Sequence, residues 1–174
     1  MSNFLRYTMS MATTTTRWLT DEEQRSWRAF RRAARLLFAQ LNRDLSRDAG
    51  MADGAYEILV VLSEAPARSL RMNELAEATL SSPSRISHAV ERLVDLGWIE
   101  RTTCPSDRRG WLAVLTDAGQ DALVAAAPRH VEHIRAHLFR GLSDADVADL
   151  GRICEAILSR LPASAALGGG CAGE

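Results

Sequence analysis

Hydrophobic positions along this chain recur mainly at intervals of three and four residues, the period of helices with one buried face. Trp27, Phe30, Ala34, Leu37, Leu41 and Leu45 draw the first stripe and predict a helix from Asp21 to about Asp48. Thr20, with Glu23 three residues later, is a capping box that starts it, and Asp21 and Glu22 place further acids in the first turn. Its other face carries Arg25, Arg28, Arg31, Arg32, Arg35 and Arg43 and reads as solvated. Gly50 to Gly54 breaks the pattern. Two short helices follow, Tyr56 to Ser63 and Met72 to Ala78, the second with Leu75 and Ala76 inward. Between them lie a turn at Glu64–Ala67 and a short extended piece, Ser69-Leu70-Arg71.

From Ser81 to Thr116 the period changes from helical to extended. Ile86, Ala89, Val90, Leu93 and Val94 mark one face of a helix from Pro83 to Leu96, with Ser82 as its cap, Pro83 in its first turn and Gly97 as a left-handed stop. Trp98 and Ile99 open a strand, residues 104–110 (CPSDRRG) form a polar turn, and Trp111 to Leu115 return as the partner strand. Two helices joined by a tight turn, the second followed by a two-stranded hairpin with arginines at its tip, describe a winged helix-turn-helix suited to DNA.

Thr116 caps a further helix to about Phe139, with Leu123, Ala127, Val131, Ile134 and Leu138 in its stripe and an expected kink or break near Ala126–Ala127 ahead of Pro128. Gly141 ends it. Ser143 and Asp146 start a last helix lined by Val147, Leu150, Cys154, Ile157 and Leu161, which Pro162 stops. The terminal helices carry more apolar stripe than a small winged unit can cover, so a homodimer is expected, its two recognition helices spaced for successive major grooves roughly 34 Å apart. The expected organisation is a disordered tail at 1–17, a dimerisation helix at 18–50, a winged DNA-binding domain at 55–116, dimerisation helices at 117–161 and a flexible tail at 162–174. The fold class is mainly α with a two-stranded wing.

A net charge of −1 removes a bulk basic excess, so a DNA surface must be a local patch. All 21 basic residues are arginine, the better side chain for bidentate contacts to phosphate or guanine. Cys104, Cys154 and Cys171 have no paired spacing and fit a reducing cytoplasm. No apolar run is long enough to span a membrane, and residues 1–18 lack the apolar core of a secretory signal. There is no Gly-rich phosphate loop and no nucleophile–base set, so an enzyme and a cofactor are not expected.

Asp107-x-Arg109 followed by Leu115-Thr116, Leu75-Ala76 in the second short helix, and Val90-x-x-Leu93-x-x-x-Gly97-x-Ile99 resemble the MarR family of bacterial transcription regulators, with the order of elements agreeing from about Trp18 to Leu161. The resemblance implies a homodimer that binds a pseudo-palindromic double-stranded operator, usually as a repressor, often released by a small aromatic ligand or an oxidant. On the recognition helix Ser82, Ser84, Arg85, Ser87, His88 and Arg92 are the candidate DNA contacts, with Arg85 able to take guanine bidentately. Arg92 can equally pair with Glu91 or Asp95, and those two acids are expected to face away from the DNA backbone. By the resemblance Arg109 enters the minor groove, Asp107 orients it by an ion pair, and Arg108 meets phosphate or solvent.

His133 and His137 lie on one helical face at a spacing that suits zinc, with His130 nearby. The first helix offers no His or Cys to complete a site, its nearest candidates being Glu22 and Glu23, so the histidines read as structural or solvated. Cys104 at the wing's edge is the one candidate for oxidant sensing. Trp27, Phe30, Tyr56 and Arg31 are candidates to line an effector pocket, with no ligand assigned. The alternatives are a zinc- or oxidation-gated regulator of the same fold, or a winged-helix protein–protein module.

Overall fold

The computed structural model describes residues 16–104 and 107–161; the side chains at 104–109 also lie outside the described set, as do residues 1–15 of the expected tail at 1–17 and the whole expected tail at 162–174. The chain forms α1 (Asp21–Ala49), α2 (Asp53–Glu64), β1 (Ser69–Arg71), α3 (Met72–Ala78), α4 (Pro83–Asp95), β2 (Ile99–Cys104), β3 (Asp107–Leu115), α5 (Asp117–Ile134) and α6 (Asp144–Leu158). It divides into two compact units, residues up to Arg35 and residues from Leu36 onward, so the division falls inside α1.

In the first unit the capping box forms as the sequence predicts. The Thr20 amide donates to Glu23 Oε2 at 2.7 Å and the Glu23 amide donates to Thr20 Oγ1 at 3.2 Å. Trp27 and Phe30 stack at 6.3 Å between centroids, with the Arg31 guanidinium 5.5 Å from the Trp27 ring centre. Both rings stay about half exposed, at 49% and 55%.

In the second unit the apolar stripe of α1 is buried through Leu41 and Leu45. The Asn42 side chain accepts the Asp53 amide at 2.9 Å, which fills an orphan donor at the start of α2. That helix therefore begins at Asp53, three residues before the apolar run at Tyr56 that marks it in the sequence. Ile58, Leu59 and Leu62 of α2, Leu75 of α3, Ile86, Val90 and Leu93 of α4, and Ile99 and Leu115 of the sheet close one core.

The sheet has three strands rather than two. β1 pairs antiparallel with β3, Ser69 opposite Val114 and Arg71 opposite Leu112, and β3 pairs with β2 on its other edge. Leu70 supplies the reason: its side chain is buried in the core, which holds the short strand against Ala113.

α5 does not break before Pro128. It runs unbroken from Asp117 to Ile134, and the irregularity comes later, as a π-helical turn at Arg135–Phe139 closed by the Arg140 amide on the Arg135 carbonyl at 2.8 Å. Pro128 and Val124 are both exposed, so water can serve the carbonyl that the missing donor leaves free. α6 starts as expected on a Ser143–Asp146 capping box and buries none of its residues, so its stripe stands uncovered in the single chain. None of the described helices is long and apolar enough to cross a membrane.

Candidate nucleic-acid interface

α4 is anchored at both ends by local chemistry. Ser82 Oγ accepts the Arg85 amide at 3.4 Å, with Pro83 in the first turn. Gly97, at φ +72°, ends the helix: its amide donates to the Val94 carbonyl at 2.8 Å and the Trp98 amide to the Leu93 carbonyl at 2.9 Å. These two bonds are a Schellman motif. The turn ahead of α4 uses the same pair of bonds, Leu80 to Glu77 and Ser81 to Ala76, with Leu80 in the left-handed position at φ +49°.

With Ile86, Val90 and Leu93 buried, the helical period fixes what faces out. Ser84, His88, Glu91 and Asp95 form the stripe opposite the core and are exposed. Arg85 and Arg92, seven residues apart, share one flank and line a groove of about 400 Å³ with Glu57 and Met51. Ser87 lies on the other flank and is half-buried. The structure thus brings Ser84, His88, Arg85 and Arg92 to one continuous surface. Glu91 and Asp95 share the outward stripe because they fall at helical spacing from Ser84 and His88. Glu91 takes His88 Nδ1 at 3.4 Å and Arg101 Nη1 at 3.8 Å, a tie from α4 to β2. Arg101, which lies 5.8 Å from the Trp111 ring centre, is a residue the sequence does not single out, because nothing in a strand's pattern announces a cross-element partner.

The wing root is fixed by Thr116. Its hydroxyl donates to the Gly97 carbonyl at 2.7 Å and accepts the Gly119 amide at 3.0 Å, so one side chain joins the end of α4 to the start of α5. The tip candidates Asp107, Arg108 and Arg109 sit in β3 by backbone, but their side chains lie outside the described residues, as does that of Cys104.

His133 of α5 and His137 of the π-helical turn after it have partners on α1 that the sequence does not announce. His137 Nε2 lies 2.8 Å from Asp44 Oδ2, and His133 Nε2 lies 2.7 Å from Asp48 Oδ2. The acids they meet are therefore Asp44 and Asp48, not Glu22 or Glu23. Asp44 is buried, and hydrogen bonds from Gln40, His137 and Arg47 hold its carboxyl down at about 2 against the cost of burial. Asp48 is likewise held at about 2, chiefly by Arg47 and then His133. Of the proposed pocket residues, Trp27, Phe30 and Arg31 stack on one another, and Tyr56 packs on His130 at 4.5 Å between ring centres. A cavity of about 210 Å³ opens instead beside Leu45, Trp98, Ala126, His130 and His133. Burial pushes the His130 imidazole below its usual range.

Residues 49–110 match the model of the MarR family. No curated protein sequence matches the chain. Among solved structures, the chain is similar to Sco3205, a MarR family transcriptional regulator from Streptomyces coelicolor in complex with DNA: 45% identity over 89% of this chain and 98% of that one, TM-score 0.80. It is similar to AbsC, a MarR family transcriptional regulator from the same organism, at 41% identity over 83% of this chain and 97% of that one, TM-score 0.75. The fold also matches that of CouR from Rhodococcus jostii RHA1, bound to p-coumaroyl-CoA, at 24% identity over 76% of this chain and 91% of that one, TM-score 0.64. A winged unit whose recognition helix and wing root are built as described, with 45% identity across nearly all of a regulator of that kind, places this chain in the MarR family of transcriptional regulators.

Proposed function

We propose that the chain is a cytoplasmic homodimeric repressor that places α4 in the major groove and the wing in the minor groove of a pseudo-palindromic operator. The observation that carries this reading is the exposed surface of α4, where Ser84 and His88 stand outward and Arg85 and Arg92 flank them. A helix presented by its N-terminal end in this way meets base edges there. Sco3205, 45% identical, was solved in complex with DNA, which supports the same use here. In this reading Ser82, Ser84 and Ser87 serve phosphates or bases, Arg85 and His88 read bases, Arg92 meets phosphate, and Arg109, oriented by Asp107, enters the minor groove beside Arg108 on phosphate. Release by a small aromatic effector belongs to the reading, with the cavity of about 210 Å³ beside Trp98 and His130 as its candidate site.

Fluorescence anisotropy with the DNA upstream of the protein's own gene tests it. Arg85→Ala should weaken binding by about 1–3 kcal/mol and relax preference at one base pair. Arg108→Ala should weaken all sequences alike and lower the salt slope by about 0.9. Unchanged affinity in both Arg85→Ala and Arg109→Ala, or binding insensitive to salt, would overturn the reading.

A further inference from the structure

We propose that Asp44, His133 and His137 form a binding site for a divalent transition-metal ion of zinc's class, with Asp48 orienting His133 behind it. Three donor atoms converge, one from each residue, within 4.8 Å of one another. Asp44 Oδ2 lies 2.8 Å from His137 Nε2 and 3.8 Å from His133 Nδ1. Those separations bracket the edge of a tetrahedron around zinc, roughly 3.3–3.6 Å for ligand bonds of 2.0–2.2 Å. Small side-chain rotations therefore suffice to close the site, with water in the fourth position.

The surroundings are those of a ligand set. The Asp44 side chain is only 3% exposed; its Oδ1 accepts from Arg47 Nη1 at 2.8 Å, while Oδ2 faces the two imidazoles. Gln40 Nε2 steadies the same carboxylate at 3.0 Å. Asp48 Oδ2 accepts from His133 Nε2 at 2.7 Å, which fixes the proton there and frees Nδ1 to ligate. A carboxylate behind a ligating histidine is the usual second partner of such a metal, and it sets both ring orientation and basicity. His137 itself sits in the π-helical turn, a distortion that is frequent at functional sites. Filling the site displaces the hydrogen-bonding proton between His137 and Asp44 and ties α5 to α1 through three metal bonds.

The test uses the full chain stripped with a chelator and titrated with zinc against a chromophoric competitor, without DNA, so that it stands apart from the operator reading. The expected result is one equivalent per chain, a visible ligand-field spectrum of tetrahedral type on cobalt substitution, and a higher Tm with zinc. His137→Ala and Asp44→Asn should abolish the equivalent, and Asp48→Asn should keep it while weakening affinity about 10–100-fold. Circular dichroism checks each fold, and His133→Gln stands in for any variant that fails to fold. Zinc uptake that survives His137→Ala, that is lost instead in Cys154→Ser, or that is absent from the wild-type chain would overturn the proposal.

Discussion

Thr116 links three elements through one hydroxyl and one amide. The amide donates to the Trp98 carbonyl at 3.1 Å while the hydroxyl joins Gly97 to Gly119. Thr116→Ala removes both hydroxyl bonds and should cost about 1–2 kcal/mol, whereas Thr116→Ser should recover most of it; urea unfolding followed by circular dichroism measures both. Gly119 is required for a different reason. A Cβ there would meet the Trp98 carbonyl and come within 2.8 Å of Leu115 Cδ1, so Gly119→Ala should cost about 1–3 kcal/mol in the same measurement. Leu80 gives the opposite case. It occupies a left-handed C-cap position that Gly97 fills in the next helix, and its side chain is 82% exposed, so it contributes little burial in exchange for its strain. Leu80→Gly should stabilise the fold by roughly 0.5–1 kcal/mol, read as a rise in Tm, and a fall would show that the side chain carries a contact of its own.

At the scale of elements, α4 and the hairpin were legible because each rule that marks them is local. Ser82, Pro83 and Gly97 punctuate the helix, and the switch from helical to alternating period marks the strands. β1 appeared only as an extended piece, since three residues carry no periodicity and its pairing with β3 spans more than forty residues of chain. The course of α5 was misjudged for the opposite reason. Proline in a helix interior is a strong local signal, and here the helix absorbs it on an exposed face. Pro128→Ala restores the missing donor without losing buried surface, and should raise stability by about 1–3 kcal/mol; an unchanged Tm would mean that the Val124 carbonyl is already well served.

For the whole molecule, the uncovered stripe of α6 is the main open feature. Val147, Ile153, Ile157, Leu158 and Leu161 are all exposed in the single chain. Single exposed apolar residues are ordinary, but a helix that buries none of its stripe calls for a partner. A second copy is the occupant the proposed operator reading needs. Sedimentation should therefore show a dimer, and Ile153→Glu with Ile157→Glu should shift it to monomer while the winged unit stays folded. A monomeric wild type would remove the two-fold geometry from the proposed function.

The sequence alone determined the helices and their caps, the winged unit, the family resemblance and the outward candidates on α4. These follow from spacing and capping within a few residues, which physics reads locally. Only the tertiary structure decided that β1 joins the sheet, that Glu91 on α4 meets Arg101 on β2, and that Asp44 and Asp48 meet His133 and His137. Those residues lie up to 93 positions apart, and a residue's own neighbours in the chain say nothing about which distant side chain packing will bring to it.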